Sequence, residues 1–168
     1  MELLDRTVGA QRIFEITGNR LDTYFMLSEL MWLRRHHPGL LDKTYKILQV
    51  NGYVNMKLTG EISIDRSNLS LTKVNDLKEN NWSHELLETI DVDLSITPQV
   101  FDCGEVIGCV TRQASKLTGL KAGTPVLAGT VDASVAALEA GVHQDIALEM
   151  TGTSSVMLIG VNKPVTTI

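Results

Sequence analysis

At 168 residues the chain is long enough for one domain with a real core, and 43% hydrophobic with 21% charged residues marks a globular rather than a disordered protein. A formal net charge of −5 with no Lys/Arg block argues against a nucleic-acid footprint, and 5% aromatic residues argue against a stacking platform for single strands. No apolar run reaches membrane-spanning length and the first residues lack the basic and apolar regions of a signal peptide, so the expected setting is the cytoplasm, away from a membrane.

Residues 1–16 mix apolar and charged positions around Val8, Ile13, Phe14 and Ile16, a pattern that fits a short helix without a clear start. Thr17-Gly18-Asn19 is a turn. From Asp22, the stripe Tyr24, Leu27, Leu30, Met31 and Leu33 predicts a helix, which Arg34-Arg35-His36-His37 and Pro38 close. His36 and His37 are adjacent, so on a helix they point about 100° apart and form a solvated last turn rather than a shared ligand site.

Residues 40–50 read as a second short helix, or one running into a strand, broken by Asn51-Gly52. A helix over 53–58 ends with Gly60 as its cap. The polar stretch 63–72 reads as a loop, and Glu79-Asn80-Asn81 as a further break. Ser83 caps an amphipathic helix to Ile90, and Thr97-Pro98 opens an extended segment. Cys103 and Cys109 do not form a CxxC and have no His nearby, so a reduced pair without metal is expected. Residues 106–110 read as a strand, and 111–118 as a helix capped by Thr111 and ended by Gly119.

The segment 123–141 carries the most information. A short buried strand at 125–128 is bounded by Gly123 and Gly129, and an alanine-rich helix over 133–140 is closed by Gly141. Asp132 stands at their junction, in the N-cap position. Capping is the commoner role for Asp there. The alternative is a carboxylate at the carboxyl end of a strand, facing a crevice where open α/β sheets bind ligands. Such a carboxylate can take the proton of a substrate hydroxyl during phosphoryl transfer. His143 falls in a polar turn and reads as solvated.

Two β-prone runs, 145–149 and 156–161, then flank the hairpin loop Thr151-Gly152-Thr153-Ser154-Ser155. Backbone amides and hydroxyls in such a loop suit an anion, although the same residues make ordinary turns. With no Lys after the glycine, the loop is not a Walker A sequence.

The chain resembles the FGGY family of carbohydrate kinases, the xylulokinase and glycerol kinase group, over nearly its whole length. The residues that carry the resemblance run from Gly104-Glu-Val-Ile-Gly108 through Leu117-Thr-Gly-Leu120, Ala122-Gly-Thr-Pro-Val126, Ala128-Gly129 and Asp132 to Ala136-Ala-Leu-Glu-Ala-Gly-Val142. Thr17-Gly-Asn19, Tyr24-Phe25, Leu30, Trp32-Leu33, Leu58-Thr-Gly-Glu61, Asp65 and Ser67 add to it, and Thr151 to Ser155 looks like the family's phosphate loop.

The resemblance implies an α/β, actin-like ribonuclease-H-type fold, present in part, and ATP- and Mg²⁺-dependent phosphorylation of a sugar or polyol hydroxyl, a pentulose such as xylulose favoured. It implies Asp132 as general base, Gly152, Thr153 and Ser154 on nucleotide phosphates, and Tyr24 on substrate. Residues 1–143 would be the latter part of an N-terminal substrate domain, and 144–168 the start of a nucleotide domain. The piece alone would be inactive, with open sheet edges that invite self-association. Alternatives are a non-catalytic sugar-binding or regulatory module, an inert truncated product, or another actin-like ATPase. The chain departs from the family pattern at Met26, at Glu29 for a usual Lys, at Gly52 for a frequent Asp, at Thr130-Val131 for glycines and at Ser155 for a glycine.

Overall fold

The computed structural model describes residues 2–144, 146–153 and 155–165. Helices α1 (Glu2–Thr7) and α2 (Ala10–Thr17) replace the single helix expected at the start, because Gly9 breaks them apart at φ 88°. Then come α3 (Met26–His36), the one-turn α4 (Pro38–Leu41), α5 (Val50–Thr59), β1 (Ser63–Asp65), α6 (Arg66–Thr72), β2 (Asn75–Asp76), β3 (Asn81–Trp82) and α7 (His84–Thr89). A 3-10 turn at Leu94–Ile96 leads to β4 (Gln99–Phe101), β5 (Val106–Cys109), α8 (Arg112–Thr118), β6 (Pro125–Leu127), α9 (Asp132–Glu139), β7 (Ala147–Thr151) and β8 (Ser155–Ile159).

The strands pair two by two. β1 runs parallel to β4, with Asp65 opposite Phe101, while β2–β3, β5–β6 and β7–β8 are antiparallel. The main core lies among α1, α2, α3, α6 and α7. Leu4, Ile13, Leu27, Leu69, Leu86 and Leu87 are all but fully buried there, each contributing about 1.5–3 kcal/mol by leaving water. Trp82 seals one side: its ring is buried and its indole N–H donates to the Pro98 carbonyl at 2.9 Å. A smaller cluster, Ile107, Val110, Ala114 and Ala128, sits where α8 and the β5–β6 pair meet α5.

The capped helices form where their caps predict them. Ser83 accepts from the Leu86 amide and Thr111 from the Ala114 amide, while Gly60 and Gly119 close α5 and α8 in the left-handed conformation. α3 starts at Met26 rather than Asp22, because Lys73 Nζ holds the preceding segment through the Arg20 carbonyl and the Asp22 carboxylate, both at 2.7 Å. The expected helix across 40–50 stops after one turn. Ile47 donates its amide to the Ile96 carbonyl, and Lys46 Nζ reaches the carbonyls of Ser95 and Thr97, so the segment is bonded across rather than along the chain.

Two further expectations are overturned. Gly52 does not break a helix but lies inside α5, where a Cβ would stand 2.7 Å from the Ser63 carbonyl oxygen; the glycine lets α5 approach the start of β1. Residues 63–72 are not a loop but β1 and α6. Their polarity is spent inside the protein: Ser63, Asp65 and Thr72 are buried, and Asp65 caps α6 by accepting from the Asn68 amide. The strand at 125–127 forms, but on this chain Leu127 is half exposed rather than buried.

Among the described residues, no helix is long and apolar enough to cross a membrane. Replacing Trp82 by Phe removes the donor to the Pro98 carbonyl and leaves a void. The expected loss is about 2–4 kcal/mol of unfolding free energy in urea titrations; a change below about 0.5 kcal/mol would contradict the assigned role.

Candidate active site

Asp65 lies at the carboxyl end of β1 and has no exposed surface. Its Oδ1 accepts from Ser67 Oγ and from the Asn68 amide (3.0 Å), and Cys103 Sγ lies 3.8 Å away. Its Oδ2 accepts from Asn68 Nδ2 (2.6 Å) and Asn51 Nδ2 (2.9 Å). Burial pushes this carboxyl up. The hydrogen bonds from Ser67, from the amide and side chain of Asn68 and from Asn51 outweigh burial and hold it below its ordinary value.

From Asp65 the network continues to the loop after β6. Ser67 Oγ accepts from the Val131 amide at 2.9 Å and lies 2.8 Å from Thr130 Oγ1. The same loop is bonded upstream. Asn55, buried on α5, donates to the Ala128 carbonyl at 3.0 Å, the Ala128 amide donates to the Glu105 carbonyl, and the Gly129 amide to the Cys103 carbonyl. The segments that follow β1, β4 and β6 thus converge. In α/β proteins that side of the sheet is where ligands bind.

Asp132 follows this loop directly. It is the first residue of α9 rather than its N-cap, a position taken by Val131 in extended conformation. The cap role is thereby corrected, although Asp132 Oδ1 still accepts the Ala133 amide at 2.7 Å. The carboxylate is exposed. α9 closes as expected at Gly141, whose φ of 69° lets Val142 bond back to Ala137 and Gly141 to Leu138.

The remaining candidates lie elsewhere. In β7–β8, Thr151 stands opposite Ser155, so the hairpin turns between them. Gly152 and Thr153 are exposed at its tip, whereas Ser154 and Asp145 fall outside the described residues. Tyr24 is 69% exposed, its ring 4.5 Å from that of Phe25 and 5.9 Å from Lys73 Nζ. Lys73 caps the C-terminal end of α6, whereas Ser67 and Thr130 meet at its N-terminal end. Tyr24 and Asp132 therefore attach to opposite ends of this helix, and among the described residues no hydrogen bond or ion pair joins either of them to the hairpin tip. His143 is exposed, with Nδ1 against the Gln144 carbonyl, and both cysteines are free thiols.

The hairpin tip offers amides and the Thr153 hydroxyl, a donor set that suits phosphate oxygens. The described residues hold no cluster of three His, Cys, Asp or Glu side chains for a metal ion. A magnesium ion would fit here only as one bound chiefly through nucleotide phosphates and water, its usual mode in phosphoryl transfer.

Local spacing assigned no role to Ser67, Thr130 or Asn55. The signal for Asp65 was present as Asp-x-x-Asn ahead of an apolar residue, a helix-start pattern.

The fold is that of the actin-like sugar kinases. The crystal structure of xylulose kinase from Rhodospirillum rubrum matches with a TM-score of 0.86 at 28% identity, covering 93% of this chain and 32% of that one. The chain belongs to the FGGY family of carbohydrate kinases: the description of that family's N-terminal domain matches residues 1–139. L-fuculokinase of Escherichia coli is 27% identical over 159 residues, 95% of this chain and 34% of the relative. Xylulose kinase of Staphylococcus xylosus is 28% identical over 159 residues, 94% and 33% respectively. The chain spans about a third of the length of these curated relatives.

Because the folded Asp65 carboxyl lies below its ordinary value, its contribution to stability is present above the unfolded pKa of about 3.9 and disappears as the pH falls through the folded value. Asp65→Asn is expected to lower stability at pH 7 by about 1–3 kcal/mol. The gap from the parent should close on acidification below about pH 4. Urea midpoints between pH 7 and 3 measure it, and a gap independent of pH would refute the assignment.

Proposed function

We propose that this chain carries the base-bearing part of an ATP-dependent kinase that phosphorylates a hydroxyl of a sugar or polyol. The observation that carries the reading is Asp132: an exposed carboxylate directly after a loop bonded to three neighbouring segments, in a member of the FGGY family. Asp132 accepts the proton of the substrate hydroxyl as its oxygen attacks the γ-phosphorus. The phosphoryl group passes to that oxygen, the bond to the β-phosphate oxygen breaks, and ADP leaves. Proton transfer comes late, as the attacking hydroxyl acidifies on bonding to phosphorus.

In this reading Gly152, Thr153 and Ser154 face the nucleotide phosphates, and Tyr24 borders the substrate. Mg²⁺, when bound, neutralises charge on the phosphates. Residues 1–143 belong to the substrate domain and 144–168 open the nucleotide domain. The extent of the family match, which stops at residue 139, supports a division there. The setting is the cytoplasm. A ketose acceptor is favoured, because relatives named for xylulose and for L-fuculose are about equally similar.

The test is a coupled ADP-release assay of the kinase that contains this chain, with pentuloses, hexuloses and glycerol as acceptors. Asp132→Asn is expected to lower kcat at least about 100-fold, the scale of a lost general base. Near-normal turnover would remove Asp132 from the chemistry, and ADP release with none of the acceptors would remove the substrate class.

A further inference from the structure

We propose that Ser67, oriented by the buried Asp65, is a positioning residue that sets the direction of the Asp132 carboxylate. The inference rests on the reading of Asp132 as the base, and goes beyond it by assigning what holds that base in place.

The donor accounting fixes the polarity of the contact. A serine hydroxyl has one proton and two lone pairs. Asp65 is held ionised by its other donors and can only accept, so the Ser67 proton goes to Asp65. The oxygen of Ser67 is then left with two acceptor sites. The Val131 amide fills one, and Thr130 Oγ1, necessarily as donor, fills the other. One side-chain oxygen thus grips two consecutive residues immediately before Asp132. Among the described residues, no side chain from outside the loop other than Ser67 bonds to Thr130 or Val131.

The upstream bonds of Asn55, Glu105 and Cys103 end at Gly129. Beyond it, Ser67 is the side chain that ties the loop to the rest of the described protein. Asp65 in turn is fixed from α5 through Asn51 and from α6 through Asn68, so the hold leads back to two helices rather than to solvent. Catalytic groups lose large factors when displaced by about 1 Å, and an exposed carboxylate with one bond of its own needs its backbone aimed for it.

The experiment uses the kinase that contains this chain. Ser67→Ala is expected to lower kcat by about 10-fold or more, with KM for ATP and for the sugar changed less than about 3-fold. Ser67→Thr, which keeps the donor and both acceptor sites, should restore most of kcat. In an Asp132→Asn background, Ser67→Ala should cost less than about 2-fold further, because its effect runs through the residue already removed. A merely structural role predicts instead that the two losses multiply, and that result overturns the proposal. So does a Ser67→Ala enzyme with kcat within about 2-fold of the parent. If Ser67→Ala does not fold, Thr130→Val decides: lower kcat at unchanged KM supports the tie, and unchanged kcat overturns it. Near-normal turnover of Asp132→Asn alone fails the base assignment itself, an outcome separate from failure of the tie.

Discussion

The arrangement depends on one buried carboxylate. Asp65 has no exposed surface and is nonetheless held in its charged form, which requires its oxygens to be supplied with donors. Those donors come from α5, from α6 and from the hydroxyl that reaches the loop ahead of α9. The same group therefore ends a strand, starts a helix and anchors the approach to the candidate base. An apolar residue at this position would leave the side-chain donors of Asn51, Asn68 and Ser67 without their acceptor. A charged one satisfies them together and fixes their mutual geometry.

Sequence reading succeeded where the determinants are local. α7 and α8 announce themselves through Ser83 and Thr111 at the start, and α8 through Gly119 at the end. The β7–β8 hairpin shows as two β-prone runs around a Gly-Ser-Thr turn. It failed at 63–72 for a physical reason. A polar stretch reads as a loop, but Ser63, Asp65 and Thr72 are buried, and composition does not distinguish a hydrated polar residue from one bonded inside. Gly52 misled in the same way: its purpose is the close approach of Ser63, eleven residues on, not local freedom.

The site was legible in a different measure. Asp132 can be singled out with both a cap and a chemical reading, its spacing favours the cap, and the family resemblance is what tips the balance to chemistry. In the structure it is the first helical residue, with Val131 before it as the cap. What grips that cap could not be read at all, because Ser67 and Val131 are 64 residues apart and nothing in either neighbourhood points to the other. The two hydroxyls that meet there belong to a polar stretch that reads as a loop and to the link between a strand and a helix.

Lys73 has a consequence of another kind. It closes α6 in the left-handed conformation, φ 57°, that glycine adopts most easily, and is 4% exposed. Its amine pairs with Asp22, reaches the Arg20 carbonyl and lies 3.8 Å from the Phe25 ring centre. Glycine at 73 would ease the backbone but release the loop, and a long apolar residue would keep the strain and strand the Asp22 carboxylate. Each single step away is thus penalised in a different way. Positions 22, 25 and 73 are bound to drift as a set, so their joint history in descendants of this chain should be slow and correlated, even though two of the three lie on a loop.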